Sequence, residues 1–347
     1  MPFSFSLRTL RLSKLYPLTI SRGTSAGSLN LYVTLSDGTH EGVGEAAPGT
    51  SDIETLATDA EPTLKALIAT GCLELGPRFT YAKGRDMGVH PAALAALDIA
   101  QWDLLGKQAN MPLHKLLGLP KPVSPTSVTI GINPPEKILE LVPEMLSRWK
   151  ARRLKIKLGS PEGIEHDKAS YEAAREAASP YKVGLRVDAN GGWTPEGAIE
   201  MGNWLAERDC DYIEQPLAQG MESELPAVFA ARKLPLFLDE SVHFASDVPK
   251  IADRCDGVNL KLMKTGGITE ALKLVAVARA HNLQTMIGCM SDSSIAIAAG
   301  ASIGILFDHI DLDSHLNLNP DPAEGLKMVT GVVIPSDRPG HGASLVE

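Results

Sequence analysis

Residues 183–217, VGLRVDANGGWTPEGAIEMGNWLAERDCDYIEQPL, hold two short apolar runs that each end on an acid, Asp188 and Glu214, with a helical stretch between them. The alternation recurs outward. SVTIGI and RLKIKLG precede it, and LPLFLDES, GVNLKLMKTGG, LQTMIGCMS and HIDLDSH follow it, giving eight strand candidates. Strands separated by single helices pair in parallel through right-handed crossovers, and this many in roughly 200 residues suit an α/β barrel. An open doubly wound sheet is the competing architecture, but GxGxxG after a strand is missing and TGGITEA near Lys264 is only a weak anion nest.

Upstream the pattern differs. LNLYVTLSDGTHEGVGEA, residues 29–46, reads as two β-rich runs around a Ser-Asp-Gly turn, the signature of an antiparallel hairpin. IETLATDAEPTLKALIATG and HPAALAALDIAQWDLLGKQA then place apolar residues at helical spacing, so the chain opens as α+β. The proline-dense LPKPVSPTS, residues 119–127, suits a domain junction. The expected division is an α+β domain over 1–120, the barrel over 121–320 and a tail over 321–347. Within the tail, GVVIPSDRPGHGASLVE reads as further hairpin that rejoins the N-terminal domain.

Composition narrows the partners. At 347 residues and 44% hydrophobic content the chain can bury a large core plus a smaller one. A net charge of −9 argues against nucleic acid. The opening MPFSFSLRTLRLSKLYPLTISRG interleaves charges with short apolar runs, which suits neither a signal peptide nor a membrane span, and a cytoplasmic protein is expected. Cys72, Cys210, Cys255 and Cys289 are scattered without CxxC pairing, as reduced core thiols would be.

In a parallel barrel the reactive side chains sit at the C-terminal strand ends. The acids there are Asp188, Glu214 and Asp239, each closing a strongly apolar run on consecutive strands. Three converging carboxylates repel unless they share a proton or a hard cation, and Mg²⁺ binds a few carboxylates while leaving positions for substrate oxygens. Helix caps and loop charges are the plainer explanation for any one acid. Lysines flank the cluster, with Lys155 and Lys157 on one face of the preceding strand and Lys261 and Lys264 at the following one. Simple alternation cannot turn both Lys261 and Lys264 inward, so Lys264 is expected in solvent or on the loop. Cations on both sides of a metal-binding acid cluster fit a substrate carboxylate held on the metal with a lysine on each face of its α-carbon. One lysine, made neutral by burial and neighbouring charge, would remove the α-proton, and its opposite would return one and invert the centre.

LKIKLG, RVDANGGW, IEQPL, LDES and NLKLMKTGGI together resemble the muconate-lactonising subgroup of the enolase superfamily, along nearly the whole chain. The resemblance implies a modified TIM barrel, (β/α)₇β, with an α+β N-terminal capping domain. It further implies Asp188, Glu214 and Asp239 as Mg²⁺ ligands, Lys157 and Lys261 as the acid/base pair, and Lys155 as a supporting cation. DLDS is similar to the eighth-strand motif of the dipeptide epimerases, which implies that Asp311 and Asp313 bind the α-ammonium of a dipeptide. Both aspartates would lie on one strand face. Thr129, Cys289 and Met290 are expected at the substrate as well, and a homo-oligomer is expected. Arg22, in TISRGTSAG, resembles the residue that meets the side chain in Ala-Glu epimerases, which leans the expectation slightly towards L-Ala-D/L-Glu; Asp52 and Glu54 in a second loop could instead favour a cationic side chain. The alternatives are an N-acylamino acid racemase or o-succinylbenzoate synthase of the same subgroup, and a Schiff-base lyase with Lys261 as nucleophile.

Overall fold

Three N-terminal strands, β1 (Ser4–Ile20), β2 (Gly23–Ser36) and β3 (Glu41–Ala46), form an antiparallel sheet in that order in the computed structural model, which describes residues 3–48 and 53–346. β2 and β3 are the expected hairpin. Asp37 Oδ1 stabilises its turn by accepting from the Thr39 and His40 amides at 2.8 and 2.7 Å. β1 was not expected, because Lys14, Tyr16 and Pro17 break its alternation. Its register with β2 slips between Ser13 and Leu18.

Of the helices α1 (Ile53–Ile68), α2 (Pro77–Asp86) and α3 (Pro91–Gln108), α3 covers this sheet and the other two pack against α3. α3 is buried nearly all round because it lies between the sheet and the barrel. Gly42 and Gly44 let it approach: a Cβ at either position would stand about 2 Å from the Ala100 or Ala96 carbonyl oxygen. On the barrel side, the Asp98 carboxylate accepts from the Thr269 amide at 3.0 Å.

After a short α4 (Leu113–Leu116), the proline-dense stretch leads into strand β4 (Ser127–Ile130). Then follow α5 (Pro135–Trp149), β5 (Arg153–Lys157), α6 (Ile164–Ala178), β6 (Gly184–Asp188), α7 (Pro195–Ala206), β7 (Cys210–Glu214), α8 (Leu225–Ala231), β8 (Leu236–Leu238), α9 (Val248–Ile251) and β9 (Gly257–Lys261). A one-turn α10 (Leu262–Thr265), α11 (Ile268–Ala280), β10 (Gln284–Gly288), α12 (Ser294–Ser302) and β11 (His309–Ile310) complete the series. The eight strands pair in parallel in sequence order, and a bridge between Thr126 and Ile310 joins the two ends. This is the (β/α)₇β barrel, with all eight expected strands in place.

The eighth strand is shorter than expected. It stops at Ile310, and Asp311 and Asp313 lie on the segment beyond it rather than on one strand face. In the tail, β13 (Lys327–Val329) and β14 (Val332–Ile334) make a hairpin, while β12 (Ala323–Glu324) pairs with β15 (Ser344–Leu345). The tail meets the N-terminal domain through the His341 amide, which donates to Asp103 at 2.9 Å, and the His341 ring, 2.8 Å from the Val43 carbonyl. All four cysteines are free thiols. No helix among the described residues is long and apolar enough to cross a membrane.

Candidate active site

Every inward-facing position at the C-terminal end of β5 to β9 carries a charged or amide side chain, because strand alternation repeats the same face at every second residue. Lys155 and Lys157 project from β5, Asp188 ends β6, Glu214 ends β7, Asp239 follows β8, and Asn259 and Lys261 come from β9. All are buried. Oxygens of Asp188, Glu214 and Asp239 lie within 4.8 Å of one another.

The lysines neutralise these acids. Lys155 Nζ lies 2.7 Å from Glu214 Oε2, 3.2 Å from Asp188 Oδ2 and 2.7 Å from Asp311 Oδ2. Burial alone would lower its pKa, but Asp311, Glu214 and Asp188 together raise it well above the ordinary lysine value. Lys157 Nζ lies 2.6 Å from Asp188 Oδ2, and Lys261 Nζ lies 2.7 Å from Asp239 Oδ2. Burial opposes the charge on Lys261, yet Asp239 and Glu240 outweigh it and raise its pKa.

The acids respond unequally. Burial pushes all three carboxyls up, and for Asp188 and Asp239 the adjacent lysines more than reverse it, holding both below the usual range. Glu214 has Asp188 as a like-charged neighbour, and burial with that repulsion pushes it up to about 8 despite Lys155. Amides hold the carboxylates in place. Asn259 Nδ2 donates to Glu214 Oε1 at 2.8 Å, the Asn190 amide donates to Asp188 Oδ1 at 2.8 Å, and Gln215 Oε1 accepts from the Asp239 amide at 2.8 Å. Three fixed, buried carboxylates converging in this way form a hard oxygen donor set suited to Mg²⁺.

Of the two places expected for Lys264, solvent or the loop after the strand, the structure has it on the segment after β9, but buried. The chain leaves β9 directly into α10, and that turn brings Lys264 back beneath Asp239. Its ammonium bonds Asp239 Oδ1 and donates to the Val242 and Asn259 carbonyls, each at 3.1 Å. Alternation failed there because it applies only while the strand continues. Asn259 could have been found from the sequence, two residues before Lys261 on the same face.

Around this centre the mouth opens into a cavity of about 790 Å³. Thr129, Lys155, Lys157, Lys261, Cys289, Met290, Asp311, Asp313 and Arg22 all line it, so the structure gathers the expected substrate residues around one space. Asp313 accepts from the Thr129 amide at 2.7 Å, and burial plus the charge of Asp311 push its pKa up to about 6. Cys289 Sγ donates to the Asp311 carbonyl at 3.2 Å. Arg22 is already engaged: its guanidinium donates to the Asn190 carbonyl at 2.6 Å and to Glu240 Oε1 at 2.7 Å. Asp52 lies outside the described residues, as does the side chain of Glu54.

Residues 6–118 match the N-terminal domain of the mandelate racemase/muconate lactonizing enzymes, and residues 137–347 match the enolase C-terminal domain-like family. The chain belongs to the mandelate racemase/muconate lactonizing enzyme family. Within it, a hydrophobic dipeptide epimerase of Roseobacter litoralis is 54% identical over 337 residues, 97% of each chain. Among solved members of the enolase superfamily, the dipeptide epimerase of Cytophaga hutchinsonii with Mg and D-Ala-L-Val superposes with a TM-score of 0.92 at 26% identity, covering 100% of this chain and 97% of that one. The Enterococcus faecalis dipeptide epimerase with Mg and L-Leu-L-Tyr gives a TM-score of 0.87 at 30% identity, over 99% of this chain and 100% of that one. Similarity at this level to a hydrophobic dipeptide epimerase corrects the slight lean towards an Ala-Glu substrate, in agreement with an Arg22 whose guanidinium is bound to the protein itself.

Proposed function

We propose that the chain is a Mg²⁺-dependent isomerase that epimerises dipeptides with a hydrophobic C-terminal residue, at the α-carbon of that residue. The observation that carries this reading is the placement of Lys157 and Lys261 on β5 and β9, on opposite sides of the three converging carboxylates. Asp188, Glu214 and Asp239 would hold Mg²⁺, which supplies Lewis-acid stabilisation of the negative charge that develops on the substrate carboxylate when its α-proton leaves. Lys155, held among Asp188, Glu214 and Asp311, adds a positive charge beside those oxygens.

Proton transfer belongs to the two flanking lysines. The one facing the α-hydrogen accepts the proton at Nζ once its carboxylate partner is otherwise engaged, and the one on the opposite face donates from Nζ. Returning the proton to the other face inverts the centre, so each lysine is the base for one stereoisomer. On the cavity wall beside Lys155, Asp311 and Asp313 receive the free α-ammonium. Leu18, Ile20, Val128 and Leu316 supply apolar wall to the cavity, in keeping with a hydrophobic side chain.

Proton NMR in D₂O with Mg²⁺ tests this reading directly. L-Ala-L-Phe should lose the α-proton signal of its C-terminal residue and form its epimer faster than L-Ala-L-Glu or L-Ala-L-Lys. If no dipeptide exchanged and an N-succinyl amino acid did, the acylamino acid racemase alternative would replace it. Borohydride inactivation that persisted in chelator would instead favour the Schiff-base lyase. The same reading places the enzyme in the cytoplasm as a homo-oligomer, and sedimentation velocity checks the second point.

A further inference from the structure

Lys14 projects from β1 of the N-terminal sheet into the cavity, and no part of the proton-transfer scheme uses it. Its backbone is bridged to Leu318, which pins this point of β1 to the segment that follows Asp313. Among the described residues its side chain has one polar partner, the Ser25 hydroxyl at 3.1 Å, and no carboxylate within ion-pair distance. Burial lowers its pKa, Cys289 and Asp313 favour its charge through space, and the Lys157 ammonium opposes it. Lys14 therefore stands half-buried on the cavity wall, beside the segment that follows Asp313 and without an ion-pair partner.

We propose that Lys14 is a specificity residue for the first residue of the dipeptide, favouring a side-chain carboxylate there. The inference rests on the epimerase reading and names a feature of its substrate. A dipeptide's α-carboxylate is committed to the acid and metal cluster, and its ammonium to Asp311 and Asp313, so the termini leave nothing negative for Lys14. A carboxylate on the first side chain lies within a few bonds of the ammonium, and so near Asp313, which favours the charge of Lys14. It would give Lys14 a charge-assisted bond in half-buried surroundings, where such bonds are stronger than in open water. An apolar or amide side chain leaves the ammonium partly desolvated without an anion. The apolar wall remains available for the second residue, the one that is inverted.

The experiment compares kcat/KM for L-Glu-L-Leu and the near-isosteric L-Gln-L-Leu in the Mg²⁺-loaded wild type, Lys14→Met and Lys14→Arg. Wild type should favour the glutamyl substrate by about tenfold or more, the arginine variant should retain a preference, and the methionine variant should bring the ratio to within about threefold of one. A wild-type ratio at or below one, or an undiminished ratio in Lys14→Met, would overturn the assignment. The wild-type ratio decides even if a variant fails to fold. L-Ala-L-Leu in the same assay separates the two readings: no epimerisation of any dipeptide sinks the epimerase, whereas L-Ala-L-Leu turnover without a glutamyl preference sinks only the role of Lys14.

Discussion

The two ends of the barrel interior are built from the same strands two residues apart, and they do opposite things. At the N-terminal end, Tyr212, Phe237 and Met286 pack as a buried cluster. The Tyr212 and Phe237 rings are 4.8 Å apart, and the His309 ring lies edge-on to both at 4.9 and 5.1 Å. Burial and the Arg186 guanidinium push His309 down to about 4, so it packs as a neutral ring. Two residues further along, Tyr212 is succeeded by Glu214, Phe237 by Asp239 and Arg186 by Asp188. A plug of aromatic packing thus underlies a layer in which Lys155, Lys157, Lys261 and Lys264 face Asp188, Glu214, Asp239 and Asp311. The lower layer supplies rigidity, and the upper one uses it to hold charges that would otherwise repel or hydrate.

That contrast can be broken from either side. The largest effect is expected in the upper layer: Lys157→Ala and Lys261→Ala should each lower epimerisation by about 10²–10⁴-fold. Stopped-flow or NMR exchange with each stereoisomer as substrate checks this, and wild-type turnover by either variant would defeat the two-base scheme. In the lower layer, Phe237→Ala should lower stability by about 3–5 kcal/mol in urea unfolding while the folded fraction keeps its chemistry. A folded variant with chemistry as impaired as that of the lysine variants would show that the layers are not separable.

Between the extremes stands the amide support of the acids. Asn259→Ala removes the donor to Glu214 and should weaken Mg²⁺ binding by about 10–100-fold in calorimetry, with unfolding little changed. The smallest effect concerns Glu214 itself. With its pKa raised to about 8 in the metal-free protein, it carries a proton at neutral pH that binding must expel. Mg²⁺ affinity should therefore rise by about fivefold between pH 7 and 8 and level off above, with up to about one proton released per ion near pH 6–7. Calorimetry in buffers of different ionisation enthalpy reads that proton, and a flat profile would show that Glu214 is already ionised before the metal binds.

The barrel was legible because its cues are local. Each strand announces itself as a short apolar run, and alternation assigns the residues ending it to the interior, which is why Lys155, Lys157, Asp188, Glu214, Asp239 and Lys261 could be read together. Where the backbone departs from a strand, the same rule fails. The burial of Lys264 was missed because one helical turn replaces the strand after Lys261, and Asp311 and Asp313 reach the cavity from a loop rather than from one strand face. β1 escaped notice because its cues come from the whole sheet and not from its own alternation.

Sequence alone determined the architecture, the acid triad and the flanking lysines, since these follow from periodicity within single elements and from charge placed where a barrel has no water to solvate it. The tertiary structure decided which carboxylate each lysine holds, that Arg22 is bound to Asn190 and Glu240 and that Lys14 enters the cavity from a strand of the other domain. Those outcomes depend on distances between segments far apart in the chain, set by packing of the N-terminal sheet over the barrel mouth, and no local pattern encodes them.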